Sequence, residues 1–90
     1  MDAQKIKAEV AREYPIEEQL ALFMEKCVWA CPDPADLPER LRMGRFMADK
    51  AMGILVQEMD VRGPRDALKA MAEVERTLND INELLLVLGD

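Results

Sequence analysis

Residues 67–88 read ALKAMAEVERTLNDINELLLVL. Ala67, Met71, Val74, Leu78, Ile81, Leu85 and Leu88 follow one another at alternating steps of four and three. That spacing holds one apolar stripe on one side of an α-helix over about three heptads, the pattern of a helix packed lengthwise on another. Lys69, Glu73, Arg76, Asn79, Asp80 and Glu83 supply the polar side. A long helix of this kind needs a long partner, and the residues before it provide one.

Gly63-Pro64 stands immediately upstream. Glycine ends a helix with a positive φ and proline is tolerated in the first turn of the next, so the pair predicts a tight reversal. Upstream again, Leu37, Leu41, Gly44, Ala48, Ala51, Met52, Leu55 and Met59 repeat at helical spacing, with Met43, Met47 and Ile54 widening that face. Gly44, Ala48 and Ala51 leave room for a neighbouring backbone. So short a connection forces the two helices antiparallel. The fold predicted is therefore all-α, a small bundle built on an antiparallel hairpin of residues 37–61 and 65–88.

A further helix over residues 15–31 is expected to pack across the hairpin. Pro15 opens it and Glu17 and Glu18 suit the positive end of its macrodipole. Ile16, Leu20, Phe23, Met24, Cys27 and Cys31 form its expected core face. Leu22 and Trp29 lie seven residues apart on another side. Either a short N-terminal helix within residues 1–13, with Ala3, Ile6 and Val10 leading to Tyr14, covers that second stripe, or the stripe meets another chain. Pro32-Asp33-Pro34 makes a rigid turn, and Asp36 with Glu39 three residues on has the form of a capping box for the next helix.

The chain is 90 residues long, the size of one domain, with residues 1–90 read as a single unit, near the limit at which one core suffices. Half of it is apolar but only four residues are aromatic, so the core must be aliphatic and rich in methionine. The net charge of −6 argues against a nucleic-acid partner, which would need a basic footprint. The Arg40, Arg42 and Arg45 group has Glu39 and Asp49 within one turn to neutralise it.

Histidine and serine are both absent and Thr77 is the sole threonine. The usual general base at neutral pH and the hydroxyl nucleophile of a triad are thus missing, as is the Glu-x-x-His of di-metal bundles. Cys27 and Cys31 are four apart, which matches neither a C-x-x-C redox motif nor half of a common zinc site. Free thiols in a reducing compartment, with no cofactor, are the expectation. The N-terminus is too charged for a signal peptide, and the apolar run from Leu84 to Leu88 is far short of the roughly 20 residues that span a bilayer. A cytoplasmic chain with no membrane partner is expected.

These residues point to a non-catalytic protein–protein interaction module, an adaptor, assembly factor or regulatory subunit, that self-associates as a dimer. Two alternatives remain: a ligand- or metal-binding bundle using the Cys27/Cys31 face, and an accessory subunit of an enzyme. The candidate partner contacts are Leu22, Trp29, Phe46, Leu84, Leu86 and Val87. Phe46 is singled out because it falls among charged residues, where no core reading explains it.

Overall fold

The computed structural model describes residues 14–89. Helix α1 spans Ile16–Phe23 and runs on without interruption as a π-helical segment, Met24–Trp29. A single 3-10 turn, Pro34–Asp36, leads into α2, Leu37–Gln57. A one-turn helix α3, Met59–Arg62, precedes α4, Pro64–Val87. The regular elements among the described residues are all helical, and the α2–α4 pairing is the main interface, as the 4/3 spacing predicts. The expected N-terminal helix lies outside the described residues.

The core is drawn from three helices. Leu41, Ala48, Ala51 and Leu55 come from α2, and Ala67, Ala70, Val74, Ile81 and Leu85 from α4. Leu20 and Met24 enter from α1, with Val28 from its π-helical extension. Leu41, Leu55 and Ile81 retain no measurable exposure, so each contributes about 2–3 kcal/mol of apolar burial. Gly44 is where all three helices meet. A Cβ there would stand 2.9 Å from Met24 Sδ, 3.3 Å from Ile81 Cδ1 and 3.7 Å from Phe23 Cε1, so any larger residue makes the Met24 and Ile81 side chains shift.

The π-helical segment corrects the expected face of the first helix. Val28 is 1% exposed, whereas Cys27 and Cys31 are only half-buried. On a continuous α-helix each step of four advances about 40°, and Val28 would drift off the line of Leu20 and Met24. The wider i→i+5 turn rotates less per residue and returns Val28 to that line. The helix ends at Trp29, so Cys31 belongs to the following turn rather than to the helix face.

Three boundaries also differ from expectation. Helix α2 stops at Gln57, because Glu58 adopts ψ −1°, well away from the helical value, before α3 begins. Helix α4 stops at Val87, which leaves Leu88 45% exposed beyond the seam. Asp33, not Asp36, is the capping side chain: its Oδ1 accepts a hydrogen bond from the Ala35 N–H at 3.0 Å. The residue before a proline is pushed to extended backbone, and Asp33, before Pro34, has φ −114° and ψ 116°, the geometry of an N-cap.

Gly63 carries the reversal between the hairpin arms. Its φ of +92° is open to glycine and strained for other residues, and Pro64 then occupies the first turn of α4. The seam of α4 is asymmetric. Ala67, Ala70, Val74, Ile81 and Leu85 are buried, while Met71 and Leu78 on the other flank are half-buried. Helix α1 lies along the Ala70 flank, where Glu17 and Glu18 of α1 share a recess with Lys69 and Glu73.

Candidate interaction surface

Phe46 sits on the side of α2 turned away from the core. At about 100° per residue it lies opposite the line of Leu41, Ala48 and Leu55. Its ring is 64% exposed, and Met43 one turn earlier is 53% exposed. With Met47, half-buried, and the stems of Glu39 and Arg42 they line a shallow apolar groove of about 460 Å³. Lys50 Nζ stands 5.4 Å above the Phe46 ring centroid, a cation–π contact made at the surface.

Met43 was expected to widen the core face of this helix, and the structure moves it to the outside. Met47 packs against the core cluster, whereas Met43 is left exposed. Phe46 and Met43 thus make a pair that sequence reading split between two faces. Their three-residue spacing was the available signal.

The other candidate contacts do not join this groove. Trp29, 54% exposed, closes the end of α1 and shares a recess with Leu84, Val87, Asp80 and Glu83 of α4. Leu84 is half-buried there and packs on the core, which leaves Trp29 and Val87, at 82% exposure, as the accessible pair. Leu86 is 78% exposed but lies well round α4 from Leu84, two residues on and about 200° away. Leu22 is half-buried and borders a separate recess with Tyr14, Glu18, Ala21 and Glu25. The six candidates therefore fall on several separate faces.

Cys27 and Cys31 are free thiols. Cys31 Sγ donates to the Asp33 carbonyl at 3.1 Å, and the Cys27 carbonyl accepts from Arg40 Nη1 at 3.0 Å. Arg40 is thereby spent on closing the C-terminal end of the π-helical segment, whose last carbonyls need donors. Among the described residues no group of three or more acidic, cysteine or histidine side chains is gathered closely enough to hold a metal ion.

One polar centre went unread in the sequence. Arg62 donates from Nη1 to Glu17 Oε1 at 2.8 Å and from Nη2 to Glu17 Oε2 at 2.6 Å. Its Nε donates to Asp66 Oδ2 at 2.8 Å, and Glu58 Oε2 lies 3.6 Å from Nη1. The hydrogen bonds from Arg62 hold the Glu17 carboxyl below its ordinary range, against the opposing effect of its burial. The same bonds, to Glu17 first and Asp66 second, push the Arg62 guanidinium above its ordinary value. This fork fixes the start of α1 to the hairpin turn, beside an open groove bordered by Tyr14, Gln19, Ile54 and Val61.

No helix among the described residues is long and apolar enough to cross a membrane. In comparisons with known proteins, no family model, no curated protein and no solved structure matches the chain.

Proposed function

We propose that this chain is a non-catalytic protein–protein interaction module, an adaptor, assembly factor or regulatory subunit, acting in the cytoplasm. The observation that carries the reading is the exposed pair Met43 and Phe46 at the centre of the outer face of α2. Scattered single hydrophobic residues are normal on a surface, whereas two large ones side by side on a charged helix face support a contact site there. Aromatic and methionine side chains are the types enriched at the centres of such contacts. The acidic balance, net −6, favours a protein partner over a nucleic acid. The lack of histidine and serine supports a role without chemistry of its own.

The test is affinity capture from the native host with the wild-type chain and with Phe46→Glu. A defined protein partner, whether a second copy or a different chain, held by the wild type and lost by the variant supports the proposal. Equal capture by both removes the α2 face from it. A measured turnover by the isolated chain would overturn the non-catalytic reading.

A further inference from the structure

Six exposed residues follow one line along the outer side of α2 at alternating steps of four and three: Glu39, Met43, Phe46, Lys50, Gly53 and Gln57. Every helix face repeats at this spacing; what sets this one apart is the exposed apolar pair Met43 and Phe46 at its centre, flanked along the same line by Glu39 and Lys50. The repeat on the inner face of α2 is already satisfied by α4, so the outer one has no partner among the described residues. The order along the line is acid, apolar, apolar, base.

That order is self-complementary in one orientation only. If two copies of α2 pair antiparallel about a two-fold axis midway between Met43 and Phe46, each Met43 faces the second copy's Phe46. Each Glu39 then faces the second copy's Lys50, on both sides of the axis. A parallel pair would instead set Glu39 against Glu39 and Lys50 against Lys50, which like-charge repulsion disfavours. A two-fold contact of this kind is isologous, the same patch used twice, as in most homodimers.

Gly53 fits the same arrangement. It stands inside α2 with nothing among the described residues within 4 Å of the position a Cβ would take, so none of them requires glycine there. Glycine within a helix is disfavoured relative to alanine. In the antiparallel pairing Gly53 comes opposite the second copy's Asp36, where the 3-10 turn Pro34–Asp36 enters α2. The missing side chain leaves room for that turn.

From the exposed line, its charge order and the unfilled space at Gly53, we infer that the occupant of the α2 face is a second copy of this chain. The copies pair antiparallel through Met43 and Phe46, with Glu39–Lys50 ion pairs at both ends. The inference rests on the interaction-module reading and names its partner. One helix pair covers less than the roughly 1,200 Å² of a standard stable interface, so the dimer is a weak, reversible one.

Analytical ultracentrifugation over a concentration series tests it, with circular dichroism to confirm the helical fold of each variant. Wild type is expected to dimerise, and Phe46→Glu to remain monomeric and folded. Glu39→Lys and Lys50→Glu, each alone, are expected to raise the dissociation constant about tenfold by turning two attractive pairs repulsive. The double variant E39K/K50E is expected to recover most of the loss, a rescue that a merely structural role for either residue would not give. A wild-type chain that stays monomeric at millimolar concentration overturns this inference while leaving a different protein partner open to the capture experiment. A dimer indifferent to Phe46→Glu, or charge variants without mutual rescue, overturns it as well.

Discussion

Arg62 and Glu17, 45 residues apart in sequence, meet through two parallel hydrogen bonds of 2.8 and 2.6 Å. Both side chains are largely withdrawn from solvent, at 17% and 11% exposure. A forked guanidinium–carboxylate contact is stronger and more directional than an ordinary surface ion pair. It ties α1 to the hairpin at the one end, while Leu20, Met24 and Val28 tie it along its length.

Arg62→Met is expected to destabilise the fold by about 1–3 kcal/mol, since it leaves Glu17 partly buried without its donor. Urea unfolding of wild type and variant measures the difference. A change below a few tenths of a kcal/mol would show that the fork contributes nothing net.

The same contact sets a pH dependence. The carboxyl of Glu17 is lowered in the folded chain, so the unfolded chain binds the proton more readily. Its contribution is therefore present above the ordinary glutamate range and is lost as pH falls through that range toward the folded value. Glu17→Gln is expected to flatten the stability curve as pH falls through and below the ordinary glutamate range, relative to wild type. Identical slopes for the two proteins would contradict the assignment.

Three glycines separate three physical causes. Gly53→Ala, measured on dilute chain, is expected to stabilise by about 0.5–1 kcal/mol, because the position is helical and open. Gly44→Val is expected to destabilise by about 1–3 kcal/mol through overpacking against Met24 and Ile81. Gly63→Ala is expected to cost about 1–3 kcal/mol from its φ of +92°, since no atom of the described residues stands within 4 Å of the new Cβ. A thermal melt in which Gly53→Ala lowers stability, or in which either of the other two leaves it unchanged, would contradict the cause assigned at that position.

The stripe of α4 makes a graded expectation. Ile81→Ala is expected to cost about 2–5 kcal/mol, as for a fully buried side chain, and Leu78→Ala distinctly less because Leu78 is half-buried. Sequence spacing alone places Leu78 at the middle of the seam. A straight helix has 3.6 residues per turn, so a seven-residue repeat drifts about 20° per heptad. The neighbour α1 then decides which flank is covered. Equal losses at Ile81 and Leu78 would mean the second flank is covered too.

Much of the architecture is legible because it is periodic. The hairpin follows from two 4/3 stripes and the Gly63-Pro64 reversal, and Gly44 was marked as a point of close approach. Features that interrupt a period were not legible. Val28 reaches the core only through the π-helical turn, and α2 ends early at Glu58 within an unbroken apolar pattern. Arg62 has acidic residues four positions away on either side, which already explained it locally. Nothing in the sequence points from it to Glu17. Phe46 stands out as a misfit on its helical wheel, but Met43 reads as core by spacing, so the groove they share is visible only in the structure.

The most direct measurement of the interaction surface is a dilution series of amide NMR spectra, from millimolar to micromolar chain. Concentration-dependent shifts are expected to concentrate on α2 around Glu39, Met43, Phe46 and Lys50, with Arg62 and the buried α4 positions unmoved. Shifts gathered instead around Trp29 and Val87, or spectra that do not change with concentration, would contradict self-association through the outer face of α2.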